Sequence, residues 1–235
     1  MVKYKRGIKY TEKDINEKGA FNKNMNMAVR YLRIRDKYDI KTIVETGTNH
    51  GRSTEFFVNA FEKVYTVDIL EEYVIQAKEK FKNHHNIECI CGNSKYVLNR
   101  VCNQIDKSET VMFFLDAHGN YIKDVIARGL REDTGENDAI FPAGFNTDVL
   151  PVKQEIETIA KYFKDKCIII VDDVYNPEKD SAFLKIDSVR LDYSYLKDAV
   201  DGCYTSYKYE YLWGNYLHPA WPKSALLIEP DLKEL

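Results

Sequence analysis

The chain has 235 residues, with 34 Lys+Arg against 37 Asp+Glu and a net charge of -3. That length suits one domain of generous size with a substantial core, and the near-even charge excludes a protein held to bulk DNA or RNA by its overall charge. No run approaches the roughly 20 apolar residues that span a bilayer, and the basic opening MVKYKRGIKYTEKD lacks the apolar core of a secretory signal, so a cytoplasmic protein without membrane attachment is expected. The five cysteines, Cys89, Cys91, Cys102, Cys167 and Cys203, show neither C-x-x-C spacing nor a matching histidine cluster, and read as reduced thiols rather than zinc ligands.

In chain order, residues 1–20 are polar, and the spacing of Met27, Val29, Leu32 and Ile34 predicts an amphipathic helix over 25–38. From there short apolar runs alternate with amphipathic ones: strand 42–45, helix 54–61, strand 64–68, helix 71–81, strand 87–91, helix 94–105, strand 111–116, helix 151–163 and strand 167–172. This rhythm implies an α/β domain with a mainly parallel sheet covered on both faces. The tail breaks it, because 204–212 (YTSYKYEYL) alternates like a strand and 225–228 (ALLI) follows a loop rich in turn formers, which predicts a terminal antiparallel pair. Between Asp116 and Pro151 lies a long connection, 117–150, expected either as a lid that offers Tyr121, Arg128, Arg131 and Phe141 to a substrate or as a solvated insertion.

The segment IVETGTNHGRST joins an apolar strand ending in Glu45 to a loop with Gly47 and Gly51 and then to a helix start. Glycine permits close backbone approach, and a helix N-terminus favours an anionic or polar ligand group. Asp68 stands 21 residues beyond Gly47, the separation at which the acid of a βαβ unit reaches a ribose diol. The loop is not a dinucleotide fingerprint, because G-T-N-H-G puts His50 where a pyrophosphate needs bare backbone.

With the later segments CGNS (91–94), VMFFLDAH (111–118) and CIIIVDDV (167–174), the pattern E-x-G-x-x-x-G plus a downstream acid resembles the class I S-adenosylmethionine (SAM)-dependent methyltransferases, over about residues 42–174. The resemblance implies a Rossmann-like, mainly parallel seven-stranded sheet with a terminal antiparallel strand, forming a single domain over 1–235 with residues 1–40 as an N-terminal cover. It further implies a SAM site. Glu45, Gly47, Thr48, Asn49, Gly51 and Ser53 would hold the amino-acid end, Asp68 and Ile69 the ribose, and Asn93 and Ser94 the adenine edge, with Asp116 alongside. Asn93 and Ser94 also read as helix capping before YVLNRV, and the two roles are compatible.

Methyl transfer needs an aligned nucleophile and, for a hydroxyl, a route for its proton. Parallel strands set Asp116, Asp172 and Asp173 at neighbouring strand ends, an oxygen-rich arrangement suited to Mg²⁺. In this the chain resembles metal-dependent small-molecule and sugar O-methyltransferases of the macrocin type, which implies these three acids as metal ligands and Asp116 with His118 as the catalytic pair. No lysine follows Asp116 at the position of the catechol enzymes; His118 is the substitute, as base or as metal ligand, or else a loop histidine bonded to backbone. Asp172 and Asp173 also read as braces of the following turn. The expected function is transfer of a methyl group from SAM to an oxygen of a small molecule or sugar, with homo-oligomerisation compatible. The rivals are a non-catalytic module binding SAM, its demethylated product S-adenosylhomocysteine (SAH) or a partner, and a metal-dependent enzyme of other chemistry on the same fold.

Overall fold

The computed structural model describes residue 21 and residues 25–117, 150–178, 185–186, 189–213 and 224–231. Helix α1 (Met25–Lys37) leads into β1 (Thr42–Thr46), α2 (Arg52–Ala60), β2 (Lys63–Asp68), α3 (Glu71–Lys80), β3 (Ile87–Cys91), α4 (Ser94–Gln104) and β4 (Val111–Leu115). After the long connection come α5 (Val152–Phe163), β5 (Cys167–Val171), a short hairpin of β6 (Lys185–Ile186) and β7 (Val189–Arg190), α6 (Tyr193–Cys203), β8 (Tyr207–Trp213) and β9 (Ser224–Pro230). Seven strands form one sheet in the order β3-β2-β1-β4-β5-β9-β8. The first five run parallel, and β9 is antiparallel to both β5 and β8.

Alternation along each strand divides the core into two layers. Ile43, Val64, Met112, Phe114, Ile168 and Ile170 face a layer closed by α1 and α2, whereas Val44, Val67, Phe113, Leu115, Ile169 and Val171 face one closed by α4, α5 and α6. The central strands are buried on both faces, which is why they read as unbroken apolar runs. Aromatic rings hold the first layer: Phe21 stacks on Tyr31 at 4.7 Å, and both meet Phe56, Phe57 and Phe114 edge-on or tilted. Burying a ring such as Phe57 contributes about 2 to 3 kcal/mol. Arg35, also fully buried, is held by the carbonyl of Ala60 at 2.6 Å and the carboxylate of Asp36 at 2.9 Å. Through these contacts α1 lies on a sheet face.

The structure departs from the sequence expectation at α6, at the β6–β7 hairpin and at several element ends. Helix α6 was not anticipated, although Asp192 caps it by accepting from the Tyr195 amide at 3.0 Å and its buried Leu196, Ala199, Val200 and Cys203 recur at helical spacing. The expected strands 111–116 and 167–172 each end one residue earlier, so Asp116 and Asp172 stand just beyond the sheet. The five cysteines are free thiols; Cys102, Cys167 and Cys203 are buried, Cys89 is half-buried, and Cys91 on the edge strand β3 is exposed. No helix among the described residues is long and apolar enough to cross a membrane.

Candidate cofactor and active site

Parallel strands bring their carboxyl ends to one edge, and the β1–α2 loop sits at its centre. The amides of Gly47 and Thr48 bond the carbonyl of Val67 at 2.8 and 3.3 Å, continuing the β1–β2 ladder into the loop. Gly47 has φ +89°, and a Cβ there would lie 2.4 Å from the carbonyl oxygen of Asp116. The glycine is therefore required by the close approach of the β4 end. The chain then turns through Asn49, at φ +47°, closed by the Gly51 amide donating to Thr48 at 2.8 Å. Gly51, at φ +64°, starts α2 with no side-chain cap, so the first-turn amides at Arg52 and the half-buried Ser53 have no acceptor from a cap. Lys80 at the end of α3 clamps this turn, donating to the carbonyl of Gly51 at 3.0 Å and pairing with Glu55 at 3.1 Å. His50 is exposed and meets the ring of Tyr73 edge-on at 5.3 Å.

Asp68 ends β2 beside that loop. Its two oxygens accept one amide each, Oδ2 from Asn49 at 2.8 Å and Oδ1 from Leu70 at 2.9 Å. A carboxylate has about four acceptor directions, so each oxygen keeps capacity for a further donor. Burial pushes the pKa of Asp68 up, and the loop amides, including those of Asn49 and Leu70, pull it back. Ile69, half-buried, continues from it.

Glu45 lies beneath the loop on the α2 side of the sheet, 1 % exposed. Its Oε2 accepts from Thr54 at 2.5 Å and from Thr66 at 2.7 Å, and Thr66 in turn takes its own hydrogen bond from Thr48 across 2.6 Å. Because Thr66 has one proton and gives it to Glu45, Thr48 is the donor of that last link. Burial raises the Glu45 pKa to about 8 against the pull of the two hydroxyls. The carboxyl thus ties β1, β2 and α2 together.

Across the sheet, Asn93 caps α4, its Oδ1 accepting from the Lys95 amide at 3.1 Å, and Gly92 bonds back to the Asp68 carbonyl at 2.8 Å. Asn93 and Ser94 are both buried. Beside Ser94 stands a group that sequence reading missed. Glu155 in the first turn of α5 is 1 % exposed, and burial raises its pKa to about 7, opposed by the neighbouring hydroxyls of Ser94 and Thr46. A glutamate early in a helix reads as a solvated residue complementing the helix dipole. Only its place in the run Val152, Ile156, Ile159 signals that it faces inward.

At the β4 and β5 ends, Asp116 donates its amide to the carbonyl of Thr46 and Asp172 its amide to Leu115, both at 3.0 Å, so the two residues stand side by side. Asp116, Asp172 and Asp173 are half-buried, and Asp173 has φ +54°. Among the described residues, no three His, Cys, Asp or Glu side chains gather closely enough to hold a metal ion. His118 and the region offering Tyr121, Arg128, Arg131 and Phe141 lie outside the described residues.

A parallel sheet in this order, with one reversed strand inserted beside the outer β8, is the fold of the class I SAM-dependent methyltransferases, and this chain has that fold. Solved structures similar to it include a protein assigned as an O-methyltransferase from Klebsiella pneumoniae, 13% identical, covering 92% of this chain and 86% of that one with a TM-score of 0.52. The O-methyltransferase from Bacillus cereus, solved with SAH, is 13% identical over 86% of this chain and 78% of that one, with a TM-score of 0.50. DesVI from Streptomyces venezuelae is 10% identical, covering 87% and 90%, also with a TM-score of 0.50. No protein-family profile matches the sequence, and no curated protein matches it significantly.

Proposed function

We propose that this chain is a SAM-dependent methyltransferase acting on an oxygen of a small molecule or sugar, in the cytoplasm. The observation that carries the reading is Asp68. It is a carboxylate fixed at the end of β2 by two backbone amides, with acceptor capacity left on both oxygens, next to an uncapped helix N-terminus on a sheet of methyltransferase topology. Such a carboxylate accepts both hydroxyl protons of a ribose diol. The amides of Gly47, Thr48, Asn49 and Gly51 are engaged within the fold, so the loop shapes the site while the uncapped first-turn amides of Arg52 and Ser53 are the ones offered to a carboxylate, and the buried carboxyl of Glu45 holds that loop in shape from below. Asn93 and Ser94 serve the nucleobase edge.

When bound, SAM supplies an electrophilic methyl carbon on a sulfonium. The chain's own residues then have to aim the acceptor oxygen along the S–C axis, exclude water and remove the hydroxyl proton. Asp116, half-buried at the β4 end, is the proposed acceptor-side carboxylate, and His118 the proposed base. The described residues contain no three-ligand cluster, so no step is routed through a cation; for Asp116, Asp172 and Asp173 to serve as the proposed ligands of Mg²⁺ their carboxylates would have to draw together on binding it, a point a chelator decides. The acceptor reading draws support from the O-methyltransferase folds similar to this one and from the near-even charge, which gives no general attraction to nucleic acid.

The test is product formation. Purified protein is incubated with SAM and a panel of catechols, hydroxy acids and sugars, with and without EDTA, and SAH release and product mass are followed. A mass gain of one methylene on one acceptor supports the proposal. A panel without turnover, by a protein that binds SAH tightly, would favour the non-catalytic module.

A further inference from the structure

The β1 end, the α4 N-terminus and the first turn of α5 converge on the face of the sheet opposite Glu45. Three side chains meet there: Thr46, 0 % exposed, Ser94, 4 % exposed, and Glu155, 1 % exposed. The hydroxyls of Thr46 and Ser94 stand beside the Glu155 carboxyl, near enough to stabilise its charge. Yet Oε1 of Glu155 and Oγ1 of Thr46 are buried and make no well-aligned hydrogen bond. Buried polar atoms are almost always paired, and hydrogen bonds at ligand sites often become well aligned only when the ligand is present. The cluster adjoins Asn93 and Gly92, and Gly92 is bonded to the carbonyl of Asp68, so it lies at the nucleobase side of the ribose carboxylate.

We propose that Glu155 is a specificity-determining positioning residue of the cofactor site: its carboxylate accepts a hydrogen bond from the Ser94 hydroxyl, so that Ser94 presents a lone pair to the base and selects a purine with an exocyclic amine. This rests on the SAM reading above. The polarity argument is simple. Above about pH 7, where Glu155 is ionised, its carboxylate only accepts, so hydroxyls beside it turn their protons inward. Ser94 then faces the ligand with lone pairs, which pair with the amino group of adenine. They repel the carbonyl oxygen that hypoxanthine carries at the same position. A serine without the carboxyl behind it can rotate its proton outward and accommodate either base. The negative charge is also placed favourably at the N-terminus of α4.

The test compares binding of SAH with that of its deaminated analogue, S-inosylhomocysteine, by calorimetry at about pH 8, where Glu155 is ionised, for wild type, Glu155→Leu, Glu155→Gln, Ser94→Ala and the Ser94→Ala/Glu155→Leu pair. Wild type should prefer SAH by about ten- to hundred-fold, the usual consequence of opposing or losing one buried hydrogen bond. Glu155→Leu should lower that preference to within about threefold, the glutamine should retain part of it through its carbonyl, and the double variant should lose no more than Ser94→Ala alone. Each variant's melting curve accompanies its titration. Should Glu155→Leu not fold, Ser94→Ala and Glu155→Gln still decide the matter. A wild-type preference left unchanged by Ser94→Ala or by Glu155→Leu overturns the role of Glu155 and leaves the cofactor reading standing. No binding of SAH by the wild type overturns both.

Discussion

Replacing Glu45 by glutamine should make the protein less sensitive to alkaline pH, and the size of the effect follows from the burial of that carboxyl. Glu45 is 1 % exposed with its pKa raised to about 8, whereas in the unfolded chain it titrates near the ordinary value of 4.5. Between those two values the folded state holds a proton that the unfolded state has released. The stabilisation is therefore complete below about pH 4.5 and is lost as pH rises through about 8. One pKa unit corresponds to about 1.4 kcal/mol, so raising the pH from 5.5 to 8.5 removes about 3 kcal/mol through Glu45 alone. Glutamine keeps a carbonyl that can accept from Thr54 and Thr66 and has no charge to bury. Urea unfolding at pH 5.5, 7 and 8.5 measures the difference directly. The stability of Glu45→Gln relative to wild type should rise by about 3 kcal/mol across that range. A difference constant with pH would mean that Glu45 is already ionised in the fold and that its pairing with the two threonines outweighs its burial.

Glu155→Gln should show the same sign over a lower window, its advantage growing as pH rises from 5 through about 7, since burial raises that pKa to about 7. Gly47→Ala should destabilise by at least about 2 kcal/mol in denaturant, because φ +89° disfavours a side chain and the new Cβ would lie 2.4 Å from the Asp116 carbonyl oxygen. Asn93→Ala removes the cap of α4 and should cost about 1 kcal/mol, or roughly 2 to 4 °C in Tm, checked by calorimetry. If Asp116, Asp172 and Asp173 hold a cation during turnover, EDTA should abolish methyl transfer while SAH binding persists; turnover unaffected by EDTA would remove the metal from the account.

The order of strands and helices was legible because each central strand is buried on both faces and reads as a short apolar run, while α5 and α2 show a helical stripe. The loop at Gly47 was legible as a glycine turn, but not its cause, since the group that forbids a Cβ is the carbonyl of Asp116 just past β4, 69 residues later in the chain. Asp68 could be placed from spacing alone, because strand length and crossover length in a βαβ unit fix where the second strand ends. The threonine network was hidden: Thr54 and Thr66 look like ordinary helix-start and strand residues, and Thr48 like a cofactor-loop residue, until the sheet folds all three around Glu45. Glu155 was hidden for a related reason, as a single carboxyl on a helix declares its burial only through the three elements that close over it. Helix α6 did carry a readable signal, Asp192 followed by an i, i+3, i+4, i+7 apolar set, masked by the tyrosines that surround it.

The most direct measurement is calorimetric titration of the protein with SAM and with SAH, repeated with Asp68→Ala. The account predicts micromolar binding of both ligands by the wild type and its loss in the variant, at an unchanged fold by circular dichroism. Undiminished binding by Asp68→Ala, or no binding by the wild type, would contradict it.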